Sequence, residues 1–479
     1  MTDPIDPSRS HLLEPSPAEM RAMLSEASER IVEHLSTLAT QDASYDLETG
    51  RTVAAALREE TPESGAAYSE LLDTVFDAVP TSFNTAGPGY LAYIPGGGLF
   101  PSAIADLIAN AVNRYVGVWI ASPGLVQLEL NVIRWFCEMV GYGAGSGGIL
   151  TSGGSLSNLT AIVAARRERF GDEDLRAGVI YTSDQTHHSV RKSAVLAGFP
   201  ERAVREIRAN GRQEIDVAAL REAIAADRAA GLRPFLIVGS AGTTNTGAVD
   251  DLVALADVAD DEALWFHVDG AYGGFFAMTD RGRSAMAGLE RADSITLDPH
   301  KGLFLPYGTG CLLVKEEAAL RRAHATFADY MPAMQHDADY VDFSDLSAEL
   351  SRDFRGLRVW LPVKLFGMAA FRTALDEKLD LARWAAEELR SREDVEIVCE
   401  PRLSLLAFRL APDGLASDVL DELNHRWMHA INRRQNVYLT GTKVDGRFAL
   451  RICVLSFRTH EDRMAQCMAD IDAALEEVR

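Results

Sequence analysis

Apolar positions change their spacing twice along the chain, and the changes divide it into three regions. Behind a Pro-rich start, Met20, Met23, Ile31, Val32 and Leu35 recur near helical spacing and predict a helix from Pro17 to about Ala39. Further helical patterns occupy roughly 50–60 and 66–79. This helical segment, residues 1–98, has little core of its own, so it is expected to pack on the next domain or on a second subunit. Between 99 and 372 the pattern alternates. Short apolar or β-branched runs at Gly148–Thr151, Val179–Thr182, Phe235–Val238, Leu264–Val268, Ile295–Leu297 and Cys311–Val314 read as strands buried on both faces. Most are separated by amphipathic stretches long enough for crossover helices, such as Ser157–Phe170 and Val217–Ala230. The pattern predicts an α/β domain with a mostly parallel central sheet, whose ligands sit at the carboxyl ends of the strands. From 373 to 479 the order becomes a long helix, strands near Val395–Val398 and Leu405–Leu410, a helix near 416–432, a strand near Ala449–Val454 and a last helix. That is a small α+β domain.

Composition narrows the partners. With 479 residues, two or more structural units are expected. Lys plus Arg number 47 against 70 Asp plus Glu, a formal net charge of −23, which repels nucleic acid and anionic lipid alike. The apolar stretch Ile104–Ala121 is interrupted by Asp106, Asn110, Asn113 and Arg114, so no membrane span is expected. Cys137, Cys311, Cys399, Cys453 and Cys467 are scattered, with no CxxC pair, so neither a metal site nor a disulfide framework is indicated. Residues 1–17 carry Asp3, Asp6, Arg9 and Glu14 and lack the apolar core of an export signal. A cytoplasmic protein is expected.

Four segments carry candidate chemistry, each just after a predicted strand. Thr151-Ser152-Gly153-Gly154-Ser155-Leu156-Ser157-Asn158 opens a helix, where glycines admit a phosphate and free N–H groups attract it. Alone it is only a turn, and it lacks the last glycine of a nucleophile elbow. Ser183-Asp184-Gln185-Thr186-His187-His188-Ser189 pairs two histidines, but adjacent residues do not converge on one ion and no third ligand lies nearby. By itself it reads as a polar helix start. In His267-Val268-Asp269-Gly270-Ala271-Tyr272-Gly273-Gly274, strand alternation puts Asp269 and Ala271 on one face, an acid beside a small residue. A strand-end Asp capping the next loop is an equally good reading of that segment. Asp298-Pro299-His300-Lys301-Gly302 places a lysine at a strand end before the run Pro306-Tyr307-Gly308-Thr309-Gly310. Desolvation and a cationic neighbour are expected to lower its amine pKa toward the nucleophilic form. A lone lysine would be surface.

The combination decides. A phosphate loop, a ring-stacking imidazole, an acid for a pyridine nitrogen and an amine to form an imine are the parts of a pyridoxal 5′-phosphate (PLP) site, in which the ring accepts electrons released at Cα.

At these residues the chain resembles the group II PLP-dependent decarboxylases, the family that contains aromatic-L-amino-acid decarboxylase. The specific matches are Tyr181-Thr182-Ser183-Asp184-Gln185-Thr186-His187, His267-Val268-Asp269 with Ala271-Tyr272, and Pro299-His300-Lys301. Supporting matches are Tyr90 to Pro95, Ala121-Ser122-Pro123, and Phe354-Arg355-Gly356-Leu357 with Trp360. The resemblance implies PLP fold type I, as in aspartate aminotransferase, and a homodimer with active sites at the subunit interface. It further implies that Lys301 holds the cofactor as an imine, Asp269 binds the ring nitrogen, His187 stacks on the ring and Ala271 lies on its other face. Gly154 and Ser155 would meet the phosphate, while Thr244 and His300 line the site. Tyr93, Ile94 and Pro95, with Val116 and Val118 from the other subunit, would shape the side-chain pocket. Arg451 matches a family arginine and is read as a buried structural ion pair.

The implied reaction is decarboxylation of an L-amino acid, with an aromatic side chain, to the amine and carbon dioxide. Gly96 stands where aromatic-substrate relatives place a hydroxyl residue and Gly302 where they place a large aromatic, and both are expected to enlarge or reshape the pocket. Counting back from Phe354-Arg355, the position of the family's protonating loop tyrosine is Phe343, with Tyr340 three residues earlier. Phenylalanine there implies an oxygen-consuming route to an aldehyde as the alternative. Transamination is a further alternative. A non-catalytic scaffold would have no need of Lys301, Asp269 and His187 together.

Overall fold

The computed structural model describes residues 13–325 and 340–478. Seven strands form the large sheet: β1 (Gly147–Thr151), β2 (Gly178–Ser183), β3 (Val204–Ile207), β4 (Arg233–Ser240), β5 (Trp265–Gly270), β6 (Ser294–Leu297) and β7 (Gly310–Val314). Their order is β1-β7-β6-β5-β4-β2-β3. The pairs β2–β3, β2–β4, β4–β5 and β5–β6 are parallel, while β7 runs antiparallel to both β6 and β1. Strands β1 to β6 therefore end at one edge.

Successive strand residues enter different cores. Val179, Tyr181 and Ile237 face one cluster, and Ile180, Leu236 and Val238 the other. Burial of both faces explains why these strands read as continuous apolar runs. Strand β3 was not among the expected strands. It is an edge strand, Val-Arg-Glu-Ile, with only its end residues buried, and charge hides its alternation.

The helices before the sheet are α1 (Pro17–Thr37), α2 (Leu47–Ala56), α3 (Tyr68–Ala78), α4 (Phe100–Val112) and α5 (Pro123–Val140). A capping box between Ser16 and Glu19 starts α1, as the Ser-x-x-Glu spacing dictates. No residue of α1, α2 or α3 is buried. Helix α4 is likewise exposed at Phe100, Ile104, Leu107, Ile108 and Val112. No helix of the described residues is long and apolar enough to cross a membrane.

The carboxyl-terminal sheet, β10-β11-β9-β8, is antiparallel and comprises β8 (Val395–Cys399), β9 (Leu405–Leu410), β10 (Thr440–Val444) and β11 (Arg447–Cys453). Strand β10 was missed because its five residues are mostly polar. The available signal was Asp445-Gly446, both at positive φ, the two-residue turn that closes a β-hairpin. The helix Met368–Arg390 joins the two cores: Phe371, Leu375 and Leu379 belong to the large one, Ala382 to Leu389 to the small one.

Candidate active site

The edge where the parallel strands end holds a cavity of about 280 Å³. Between β1 and α6 (Gly154–Phe170), Gly153 is the N-cap and no side chain caps the helix, so its first-turn N–H groups are available to an anion. Glycine is required at two points here. A Cβ on Gly310 would sit 2.5 Å from the Gly153 Cα, and one on Gly154 would sit 3.0 Å from the Ala271 Cβ and 3.1 Å from Asp298 Oδ2.

Asp269 closes β5. Its Oδ1 accepts from the Ala271 N–H at 3.1 Å and its Oδ2 from Asn158 Nδ2 at 2.8 Å. Asn158, on α6, uses every hydrogen-bonding position it has. Nδ2 also donates to Ser189 Oγ at 3.1 Å, and Oδ1 accepts from Thr296 Oγ1 at 2.7 Å and from His267 Nε2 at 3.0 Å. Burial pushes His267 down to about 4, so the imidazole is neutral, and Ser294 Oγ lies 2.8 Å from its Nδ1. Asn158 was quoted only as the end of a loop. The signal for its role is its place one turn into a helix that packs over β5 and β6.

His187 sits between β2 and α7 (Ser189–Leu196). The Ser189 N–H donates to its Nδ1 at 3.3 Å, and Ser189 Oγ, which accepts from Asn158, lies 2.8 Å away. These two donors keep the proton on Nε2. Burial, the largest influence, lowers the His187 pKa despite the attraction of Asp269, so the ring is neutral. A neutral ring can lie flat on an aromatic cofactor without bringing charge.

Lys301 lies in the turn after β6, and its Nζ is 2.8 Å from Asp298 Oδ2. Burial alone would drive the amine toward neutrality, but the charge and hydrogen bond of Asp298, with Asp269 beyond, overcome it and the pKa is raised. This corrects the expected lowering. The neighbour His300 is not cationic: burial lowers its pKa, and its Nδ1 is 2.6 Å from the Thr309 carbonyl, to which it donates.

Gly154, Ser155, His187, Thr244, Asp269, Ala271, His300 and Lys301 all line this one cavity, together with Asn158 and Asp298. The other expected residues lie elsewhere. Tyr93 is exposed, whereas Ile94, Pro95 and Gly96 are buried beside the cavity and are not part of its lining. The reshaping expected at Gly96 is offset, because Tyr307 ring atoms lie 3.3–3.4 Å from where its Cβ would be. The enlargement expected at Gly302 is absent, because Phe275 fills that space, 2.6 Å from the would-be Cβ.

Val116 and Val118 are 0% and 6% exposed within their own chain, and Tyr115, 38% exposed, is the outward residue. Phe343 also fails as a loop residue. It is 0% exposed, with the Arg352 guanidinium 4.6 Å from its ring centre, and it belongs to the main core. Tyr340 packs on Trp119 with ring centres 3.9 Å apart, away from Lys301. Residues 326–339 of the expected catalytic loop lie outside the described residues. Arg451 is buried, but its partners are carbonyls of Asn245, Thr244 and Tyr93 and the Thr440 hydroxyl, with no ion pair among the described residues.

The donor set fits PLP: an uncapped helix start for a phosphate, a fixed carboxylate for a ring nitrogen and a buried amine for an aldehyde. Residues 52–411 match the family model of the pyridoxal-dependent decarboxylase conserved domain. The chain belongs to that family. Similar proteins include an aromatic-L-amino-acid decarboxylase of Bacillus atrophaeus, 36% identical over 98% of both chains. Among solved structures, Oryza sativa TDC with PLP and tryptamine superposes with a TM-score of 0.91 at 27% identity, covering 97% of this chain and 99% of that one. Rhodiola rosea 4-hydroxyphenylacetaldehyde synthase gives 0.89 at 26%, covering 96% and 99%. This pyridoxal-dependent decarboxylase has PLP fold type I and is an amino-acid carboxy-lyase with PLP as its cofactor.

Proposed function

We propose that the chain decarboxylates an aromatic L-amino acid to the amine, as a homodimer, with Lys301 as the cofactor's anchor. The observation that carries the reading is the convergence of Asp269, His187 and Lys301 on one cavity, with Asp269 bonded to the Asn158 amide and His187 linked to it through Ser189. When bound, PLP supplies a ring that takes up the electron pair left on Cα as carbon dioxide departs. Every other task falls to the chain. The start of α6, with Gly154 and Ser155, holds the phosphate and fixes the cofactor's position. Asp269 would face the ring nitrogen as its hydrogen-bond partner, while Asn158 prevents the carboxylate from turning away. His187 covers one ring face and Ala271 leaves room on the other. Lys301 is the amine that would anchor the cofactor's aldehyde and give way to the substrate's amino group.

Dimerisation accounts for the unburied apolar faces of α1 to α4, which a second copy would cover. The aldehyde route loses its motive, since Phe343 lies in the core. We place the protein in the cytoplasm, because all five cysteines are free and buried.

The test incubates purified protein with tryptophan, tyrosine, DOPA and glutamate while carbon dioxide, amine, ammonia and peroxide are followed together. Amine and carbon dioxide in equal amounts from an aromatic substrate are expected. Preference for glutamate would overturn the aromatic assignment, and stoichiometric peroxide would overturn the product.

A further inference from the structure

We propose that His267 is a positioning residue for the reaction: it fixes which way the Asn158 amide points, and through that amide it sets both Asp269 and His187. The proposal rests on the reading of Asp269 and His187 as the groups that meet the cofactor ring.

Strand register brings the parts together. Trp265, His267 and Asp269 alternate onto one face of β5, where His267 pairs with Ser294 and Asp269 with Thr296 of β6. All five side chains are buried, and so is Asn158 on α6. Their polar atoms therefore have to satisfy one another.

An asparagine amide can be turned end for end, and a hydroxyl suits either end because it both gives and accepts. Thr296 Oγ1, 2.7 Å from Asn158 Oδ1, and Ser189 Oγ, 3.1 Å from Nδ2, are neighbours of that kind. An imidazole is not, once its proton is placed. Trp265 Nε1–H can only donate, and it gives to Ser294 Oγ at 2.9 Å. The remaining partner of that oxygen among the described residues is His267 Nδ1, at 2.8 Å, so the Ser294 hydroxyl proton goes there. Burial, the largest influence on the ring, outweighs Asp269 and the Ser294 carbonyl and leaves it a single proton. With Nδ1 accepting, that proton is on Nε2 and is donated to Asn158 Oδ1 at 3.0 Å.

The donors thus run one way, from Trp265 through Ser294 and His267 to Asn158. The nitrogen end of the amide is left for the cavity side. It donates to Asp269 Oδ2 at 2.8 Å and to Ser189 Oγ, which turns its own proton to His187 Nδ1 at 2.8 Å. Asp269 accepts on both oxygens as a result, since the Ala271 N–H serves the other, and His187 keeps its N–H at Nε2. Turned the other way, Asn158 would set its oxygen against Asp269. Only a carboxyl that carries a proton fits such a neighbour, and it is a poorer acceptor for a ring N–H. Hydrogen bonds linked in a chain also polarise one another, which strengthens the last bond, the one to Asp269.

Neutron diffraction from crystals of the unloaded protein grown in D2O reads the proton positions directly. Deuterium is expected on Nε2 of both His267 and His187, on the Asn158 nitrogen facing Asp269, and on Ser294 Oγ toward the imidazole. Deuterium on Nδ1 of His267, or an amide turned the other way, would overturn the proposal. Kinetics of the holoenzyme test the consequence. His267→Phe deletes the donor and should lower kcat about tenfold at unchanged KM, the worth of one hydrogen bond. His267→Gln can donate from its own amide and should recover most of that loss. Trp265→Phe deletes the indole N–H, and should cost about threefold in kcat alone but nothing further in Asn158→Ala, where the chain is already cut. Equal losses in the Phe and Gln variants of His267, or a Trp265→Phe loss that persists in full beside Asn158→Ala, would overturn the proposal. Should His267→Phe fail to fold, the proton positions and the Trp265 comparison decide. Wild type that shows no visible band with PLP would instead sink the reading of the cavity, while the diffraction result stands without the cofactor.

Discussion

The cofactor side of this decarboxylase and its substrate side are built differently. Lys301, Asp269, His187 and the Gly154–Ser155 turn come from loops spread over about 150 positions, yet they meet in one cavity because the parallel strands end at one edge. The expected substrate-side residues do not meet. Tyr93 is on the surface, Val116 and Val118 are inside the core, and Tyr340 stacks on Trp119. One chain is enough to hold a cofactor rigidly. In the proposed homodimer, the uncovered faces of α1 to α4 would be where a second copy completes the substrate side.

The largest effect expected is at Lys301. Substitution by Ala should abolish the visible absorbance and lower turnover by about 10⁴-fold or more. Next comes Asp269→Ala, which should keep some bound cofactor but lose about 10²–10³-fold in kcat, the usual cost of removing a preorganised charge. Substantial activity in this variant would break the cofactor side of the contrast. Leu107→Asp, on the open face of α4, should sharpen it: light scattering should report monomers that still bind cofactor but turn over poorly. A dimer with normal kcat would show that α4 takes no part. Asn158→Ala leaves Asp269 Oδ2 without a partner and removes the donor to Ser189, which holds His187, so a loss of about 1–3 kcal/mol in stability is expected by denaturant titration, with a fall in kcat at unchanged KM. The smallest change belongs to Phe343→Tyr. This should leave the amine-to-aldehyde ratio untouched while a buried hydroxyl lowers the melting temperature, and an altered ratio would return that residue to the site.

Acid behaviour gives a separate check. The His267 pKa is depressed from 6.5 to about 4 in the folded chain. An imidazole of this kind stabilises the fold above its unfolded pKa, and the contribution is lost as pH falls toward the folded value. Melting temperature should therefore drop between pH 6.5 and 4, and less so in His267→Gln.

Much of the cofactor side was legible in the sequence, because strands buried on both faces announce themselves as apolar runs and the chemistry follows each run directly. What was missed there are polar residues that act through others. Asn158 looks like any helix residue until Asp269 and His267 of β5 and Thr296 of β6 are seen around its amide. Asp298 was read as part of a lysine motif and not as the group that sets the lysine's charge. The substrate side was poorly legible for a different reason. Alternation along 115–119 gives two possible faces, and nothing local says that Tyr115, not Val116, points outward. The position of Phe343 rested on counting across a loop, where spacing carries no structural period. Strands β3 and β10 were hidden by charge and polarity at sheet edges.

The claim on which all this depends is that Lys301 and Asp269 grip one cofactor from two ends. Borohydride reduction of the PLP-loaded protein, followed by peptide mapping in a mass spectrometer, tests it most directly. The account predicts the pyridoxyl mass on the peptide that contains Lys301, in wild type and in Asp269→Ala alike. A label on a different lysine, or none, would contradict it.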